Sequence, residues 1–373
     1  MKADKLPVVL LVSTGLGSIY RGYESFTAEC FEALKNNTSF QLILLKGAGN
    51  KKPSELVIGN FKRNGKIAYL LSKVIKKEPY WIEQFSFAIA MLPAIIRYRP
   101  AVIYYSDFVL GTFLWHSRNW LKFKYKLLFS NGAPNGPPFT RMDHIQQLLP
   151  IYLEQACAAG TAIKKQTLLP YAIQIEHVDK LVLRLQQKDA IRHSLQLPIQ
   201  KKIIVSVGAI NSQHKRMDYV IKEFAALPQD DYFLILLGQI DELSAPIMEL
   251  AKKDVSLNNF LIKQVAKEEI PSFLLASDYF ILASLNEGLP RVLPEALAAG
   301  LLPIVHDYAV TRQTLGHYGV YRNLQQNAQL KNAISEVDNR AITKKELQEF
   351  AMKTYSWDAL RERYIEMLKA NIG

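Results

Sequence analysis

Short apolar runs, each closed by a polar or glycine-bearing turn, recur along the chain and alternate with longer stretches of helical period. Strands that read as continuous apolar runs are buried on both faces, and strands separated by helices form parallel βαβ units. In the first half the pattern predicts strands over 8–13, 40–46, 101–106 and 126–131, with helices near 23–36, 66–77, 79–97 and 108–121. In the second half it predicts strands over 202–209, 232–237, 260–264, 279–283 and 302–305, with helices over 217–226, 245–253, 270–276 and 291–299. A polar, strand-poor stretch, 176–200, interrupts the series, and strands resume after Leu197-Pro198-Ile199-Gln200. That places a boundary near residue 195 and predicts an α/β protein of two consecutive doubly wound domains. The C-terminal ends of two such sheets, facing a central cleft, are where ligands of open parallel sheets bind.

Size agrees with two domains: 373 residues, 49% hydrophobic and 21% charged, can bury more than one ordinary core. The composition excludes a disordered, collagenous or disulfide-stapled chain, because Cys30 and Cys157 are its only cysteines. Two distant thiols suit a reducing, cytoplasmic setting. The apolar run at 6–12 is too short for a leader and reads as the first strand, while 85–96 contains Pro93 and falls short of the ~20 residues that cross a bilayer. Charge changes the picture more. Residues 1–170 carry 22 Lys and Arg against 10 Asp and Glu, whereas residues 171–373 carry 24 against 24. The net +12 therefore belongs to the first half, which is expected to meet an anionic surface or substrate.

Three turns carry candidate chemistry. The first strand ends in Ser13-Thr14-Gly15-Leu16-Gly17-Ser18, where Gly15 and Gly17 let main chain approach an anion beside a helix start. Neither the dinucleotide GxGxxG pattern nor a P-loop is present, and a merely tight βα turn explains the glycines equally well. The second domain opens with Ile204-Val205-Ser206-Val207-Gly208 and a polar turn ending in Lys215-Arg216, a point charge and a planar fork suited to a diphosphate. A solvated helix start is the alternative. The densest signal is Ser284-Leu285-Asn286-Glu287-Gly288-Leu289-Pro290-Arg291-Val292-Leu293-Pro294-Glu295. Here a buried strand ends at one carboxylate, a Gly-Leu-Pro turn opens a helix, and a second carboxylate follows after seven intervening residues. A carboxylate can accept two sugar hydroxyls, and the amides of a helix start can hold phosphate.

This stretch resembles the E-x7-E region of retaining GT-B glycosyltransferases, above all those of family 4, which use nucleotide-sugar donors. The turn from Gly208 to Arg216, the strand end Leu236-Leu237-Gly238, the run from Val265 to Asp278 and the tail Tyr355-Ser356-Trp357-Asp358 are similar to the same family. The likeness is strong over roughly 200–370 and one of fold before that. It implies a GT-B chain with two Rossmann-like domains, 1–195 on the acceptor side and 196–355 for the nucleotide sugar, followed by a helix over 356–373 that crosses back to the first domain.

By the same resemblance Glu295 holds the donor ribose and Glu287 contacts the transferred sugar. Backbone amides from Leu289 to Val292, a stretch that includes Pro290 and Arg291, take the diphosphate with Lys215 and Arg216, Val265 main chain meets the base, and the turn from Gly15 to Gly17 approaches phosphate and acceptor. Gly208 and Gly288 are counted with the donor-binding residues. Two departures stand out. Ala209 replaces the usual arginine after the first glycine, with Arg216 or Arg291 as substitutes, and Asn131 occupies the place of a common histidine. His144 is the second candidate near the reacting centre, against the ordinary expectation that a lone histidine is structural. His306 either lines the donor site or simply ends a strand.

No Asp-x-Asp occurs, so no metal and no bound cofactor are expected, and lysine, arginine and helix amides would neutralise the leaving group. The acceptor is expected to be a glycan or a lipid-linked saccharide, in cell-surface polysaccharide or glycolipid synthesis. Two other outcomes remain open: a nucleotide-sugar or glycan-binding scaffold without turnover, and a nucleotide-sugar epimerase. In the basic half, Ile67, Leu70, Leu71, Val74 and Ile75 lie beside Lys73, Lys76 and Lys77. That is either a helix lying on an anionic membrane face or an ordinary amphipathic helix packed on its own sheet. Trp115, Trp120, Phe123 and Tyr125 among Lys122, Lys124 and Lys126 read as core with a basic rim, and no nucleic acid is expected.

Overall fold

A computed structural model describes residues 6–19, 21–121, 123–132, 135–176, 180, 183–184 and 186–372. Lys122, and residues 177–179, 181–182 and 185 of the polar stretch 176–200, lie outside the described residues. The chain divides into two units, Met1–Ala172 with Trp357–Gly373, and Ile173–Ser356.

The first unit holds a parallel sheet of β1 (Val8–Ser13), β2 (Gln41–Lys46), β3 (Glu55–Val57), β4 (Val102–Tyr105), β5 (Lys126–Asn131), β6 (His144–Gln147) and β7 (Gln166–Leu168), in the order β3-β2-β1-β4-β5-β6-β7. Its helices are α1 (Gly22–Leu34), α2 (Lys66–Ile75), α3 (Pro79–Ala90), α4 (Leu92–Tyr98), α5 (Phe108–Ser117), α6 (Pro150–Ala158) and, after the whole second unit, α15 (Trp357–Ala370). On one face of the sheet Leu10, Val12, Ile43 and Leu45 pack with Phe87, Met91, Leu110 and Leu114. On the other, Phe26 of α1 stacks on Tyr171 with centroids 4.0 Å apart and on Trp357 at 6.0 Å. Tyr364 of α15 is fully buried, accepting from Gln146 Nε2 at 2.9 Å and donating to the Pro170 carbonyl at 2.8 Å.

The expected helix over 79–97 is two helices meeting at Met91. Pro93 lacks an amide hydrogen and its ring crowds the carbonyl four residues back, so one helix cannot run through it. Three strands of this unit, β3, β6 and β7, escape the apolar pattern, as does the strand Val320–Arg322 of the next.

The second unit comprises α7 (Lys188–Ser194), β8 (Lys202–Val207), α8 (Met217–Ala225), β9 (Tyr232–Leu237), α9 (Ala245–Asp254), β10 (Phe260–Lys263), α10 (Ile270–Ala276), β11 (Tyr279–Leu282), α11 (Val292–Ala298), β12 (Pro303–His306), α12 (Ala309–Leu315), β13 (Val320–Arg322), α13 (Gln329–Asn339) and α14 (Lys344–Tyr355). The parallel sheet runs β10-β9-β8-β11-β12-β13. Ile203 to Val205, Leu234 to Leu237 and Phe280 to Leu282 are its buried centre.

The division falls at Ala172/Ile173 rather than near 195. The polar stretch taken as the end of the first domain contains α7, which is tied to the second. Lys188 donates to Asp278 Oδ1 at 2.7 Å, and the buried Arg192 to Asp278 Oδ2 at 2.7 Å and the Ala276 carbonyl at 2.8 Å. A guanidinium with five donors satisfies several carbonyls at once, so a charged helix joins a core it does not look apolar enough to enter. Among the described residues no helix is long and apolar enough to cross a membrane.

Candidate functional site

In parallel sheets chemistry gathers where the strands end, and in the second unit those ends converge on glycines. A Cβ on Gly238, after β9, would lie 1.7 Å from the Gly208 carbonyl oxygen, so the loops after β8 and β9 meet main chain to main chain. At Gly208, φ is +155°, and a Cβ there would come within 2.7 Å of Cγ, Cδ and Cε of Lys215. The lysine stem therefore lies across the glycine. Its ammonium ion-pairs with Glu287, and each side chain is only 18% exposed. Gly208, Lys215 and Glu287 are thus brought together at adjoining strand ends, β8 and β11.

Arg216, expected beside Lys215, goes elsewhere. Its backbone is left-handed, φ 49°, and its guanidinium donates to the Leu324 carbonyl at 2.6 Å and the Ala283 carbonyl at 3.4 Å while lying 4.6 Å over the Tyr219 ring. It ties the start of α8 to the ends of β11 and β13. Ala209 stands in the β8 turn without a cationic side chain, and Lys215 is the cation that pairs at that turn.

Gly288, Leu289, Pro290, Arg291 and Val292 are all buried. The Leu293 amide closes onto the Pro290 carbonyl at 2.9 Å and the Glu295 amide onto that of Arg291 at 3.2 Å. Arg291, half-buried Glu295 and Lys267 form an electrostatic group. Burial raises the Glu295 carboxyl against the opposing pull of Arg291 and Lys267. Burial, with repulsion from Arg291, lowers the Lys267 ammonium to about 7 despite Glu295 and Glu268. Lys267 begins the short turn after β10, two residues beyond half-buried Val265. In sequence Lys267 is one residue of the run from Val265 to Asp278, and nothing there marks the burial that lowers it. His306 is the last residue of β12, its Nδ1 accepts the Leu324 amide at 3.2 Å, and its ring stacks on Tyr308.

In the first unit, Gly15 and Gly17 have close neighbours. A Cβ on Gly17, φ +92°, would lie 2.2 Å from the Ala48 carbonyl oxygen, and one on Gly15 would lie 2.5 Å from Glu24 Oε1. Beside them lies a polar cluster that sequence reasoning missed. Asp107, buried at the end of β4, accepts from Thr14 Oγ1 at 2.7 Å, the Thr14 amide at 3.3 Å and Tyr80 Oη at 2.8 Å. Arg21 pairs with buried Glu24 at 2.7 Å, and Arg63 lies 4.3 Å over the Tyr80 ring while pairing with buried Glu83. The signal was a lone Asp after a strand and before a helix.

The two candidates for the reacting centre lie at opposite ends of the sheet: Asn131 closes β5 at the ligand end, and His144 opens β6. Asn131 is buried and donates from Nδ2 to Gln147 Oε1 at 2.9 Å, and Gln147 in turn donates to Gln166 Oε1 at 2.8 Å. It is one rung of an amide ladder across β5, β6 and β7. His144 opens β6 opposite Leu128, at the end of the sheet away from the strand C-termini, and Nε2 bonds Thr167 Oγ1 at 2.7 Å. Burial and the nearby Lys126 lower its pKa. Three residues of strand, about 10 Å, separate it from Gln147 at the ligand end. Among the described residues no three His, Cys, Asp or Glu side chains gather as a metal set.

Residues 187–354 match the family model described as Glycosyl transferases group 1. The glycogen synthase of Streptococcus sanguinis (strain SK36) is 28% identical over 215 residues, 52% of this chain and 44% of that protein. The chain spans about half the length of most of the curated relatives it matches. Sucrose-phosphate synthase from Thermosynechococcus elongatus superposes with a TM-score of 0.77 at 16% identity, covering 98% of each chain. HepE from Anabaena, solved in complex with UDP and glucose, gives 0.71 at 12% identity over 96% of this chain and 98% of that one. With the two parallel sheets, these likenesses show the GT-B fold, built of two Rossmann-like domains. The match to the family model lies within the second unit.

Proposed function

We propose that the chain is a metal-independent, retaining glycosyltransferase of the family 4 type that moves a sugar from a nucleoside diphosphate to a glycan or lipid-linked acceptor. The observation that carries this reading is Lys215, laid over Gly208 and held by Glu287 at the ends of β8 and β11. A diphosphate arriving there offers the ammonium a more highly charged partner than one carboxylate. As Lys215 turns to phosphate, Glu287 is released to accept hydroxyl donors of the transferred sugar. Glu295 accepts the two ribose hydroxyls, with Arg291 supplying positive potential beside it. Charge building on the departing diphosphate is then met by groups already in place, which is where electrostatic catalysis gains most. Retention and metal independence rest on the family likeness. The roles of Glu287 and Glu295 rest on it together with their placement. The UDP and glucose bound to HepE make a uridine diphosphate sugar the first donor to try.

A thermal-shift screen against UDP, GDP, ADP and CMP, with and without their common sugars, tests the reading. A ligand at about 100 times its Kd stabilises the native state by about 2.7 kcal/mol. The expected result is a selective rise with one nucleoside diphosphate that Glu295→Ala abolishes. Silence from every nucleotide at saturation would overturn the donor site.

A further inference from the structure

The amphipathic pattern at 66–77 left two readings, and the exposure of its side chains separates them. In α2 only Ala68 is buried. Ile67, Leu70 and Val74, spaced three and four apart on one face, are 55%, 62% and 80% exposed. Phe61 before the helix is exposed too, as are Phe85 and Ile89 on neighbouring α3. From Trp81 a row of rings crosses α3 and α5: Trp81 to Phe85 at 4.9 Å, Phe85 to Phe113 at 5.7 Å, and Phe113 to the strongly exposed Trp120 at 6.2 Å. Of the nineteen large apolar side chains that are exposed among the described residues, twelve lie between Val57 and Trp120. Soluble surfaces rarely concentrate apolar groups this way without a partner.

The charge beside this face says which partner. Between residues 62 and 77 there are six cations and no acid. Arg63 is engaged with Glu83, while Lys62, Lys66, Lys73, Lys76 and Lys77 are exposed. At 100° per residue, Lys66 and Lys73 flank the Ile67, Leu70 and Val74 stripe along one side, and Lys77 continues that line past the helix end. A pocket of about 340 Å³ opens beyond it, lined by Lys76, Lys77, Glu78, Tyr80, Trp81 and Val109.

We propose that the α2–α3 face docks the protein on an anionic lipid surface, with Ile67, Leu70 and Val74 entering the acyl boundary and the lysine row meeting headgroup phosphates. The cores of protein interfaces are depleted in lysine, whereas lysines beside an apolar stripe extend their stems along it and place their ammonium groups among phosphates. Two signals, apolar burial and several cations, together hold a protein at a membrane where either alone is marginal. The surface belongs wholly to the first unit and does not depend on the donor reading.

The test is co-sedimentation of the full chain with phosphatidylcholine vesicles and with vesicles that also contain phosphatidylglycerol, at low and high salt. Binding is expected on the anionic vesicles only and weakens with salt. Removing three charges in Lys66→Ala/Lys73→Ala/Lys77→Ala lowers the partition coefficient about a hundredfold. Ile67→Ser/Leu70→Ser/Val74→Ser loses binding while keeping its circular dichroism. Nucleotide thermal shifts stay unchanged in both variants, so failure here and failure of the donor site are told apart. The proposal is overturned if the native chain ignores anionic vesicles, if neither triple variant reduces binding, or if the serine variant only dissociates a dimer of the native chain.

Discussion

Replacing Lys215 by alanine removes the cation that the proposed donor site sets against the diphosphate and takes one ion-pair partner from Glu287. A hydrogen bond to a charged group is worth about 1.5–3 kcal/mol, so losing one such contact, about 2 kcal/mol, weakens diphosphate binding about 30-fold. Part of that gain is already spent in the native protein, because Lys215 must leave Glu287 before it reaches phosphate. At 18% exposure on each side that ion pair is partly desolvated and more than an ordinary surface contact. The expected loss is therefore about 10- to 30-fold in Kd for the nucleoside diphosphate and none for the nucleoside. Glu287→Gln supplies the opposite perturbation. It keeps the shape, removes the competitor for the ammonium, and should bind the diphosphate at least as tightly as the native protein while transferring sugar poorly. Titration calorimetry of nucleoside and nucleoside diphosphate against the three proteins, each checked for native circular dichroism, gives the ratio directly. Equal weakening of both ligands in Lys215→Ala, or no weakening of either, refutes the assignment.

Two further expectations concern buried charge. Lys267 has an ordinary pKa of 10.5 lowered to about 7 by burial and Arg291, so between those values the unfolded chain holds a proton that the native chain does not. The cost of this residue to stability is present in full below about pH 7 and is relieved as the pH rises toward 10.5. Lys267→Met should accordingly raise the urea midpoint most at pH 6, with the difference shrinking by pH 9.5, and a difference independent of pH would discard the reasoning. Asp107→Ala strands the Thr14 amide, Thr14 Oγ1 and Tyr80 Oη, and should cost about 3 kcal/mol in chemical denaturation. A loss under ~1 kcal/mol would show that water replaces the carboxylate freely.

The strands most easily read from sequence are those with a central run of three or more apolar residues, β1, β2, β5, β8, β9 and β11, buried on both faces. Short strands of three residues, β3, β7 and β13, are too brief to show any period. The instructive miss is β6. Gln146 and Gln147 sit in the sheet interior because Tyr104, Ser130, Tyr364, Asn131 and Gln166 satisfy their amides. A strand stabilised by side-chain hydrogen bonds reads as a polar loop, and His144 at its head then looks like a residue free to reach a substrate. At the site, Glu287 and Glu295 stood out by their spacing, and their placement near Lys215 and Lys267 follows from the order of strands. Adjacent Lys215 and Arg216 were indistinguishable until the left-handed backbone at Arg216 separated their side chains. The Asp107 cluster joins residues from five separate stretches, and no local pattern announces it.

One feature of the chain path bears on how the molecule is made. The first unit is discontinuous: Trp357 and Tyr364 fill its core beside Phe26 and Tyr171, yet residues 173–356 are synthesised between them and the rest. Nascent chains usually complete their N-terminal domain first. Here the uninterrupted unit, Ile173–Ser356, is the one able to finish on the ribosome, while its predecessor waits with an aromatic seam open until α15 emerges. Shortening the chain before Trp357 should therefore injure the portion made first, leaving the portion made later intact.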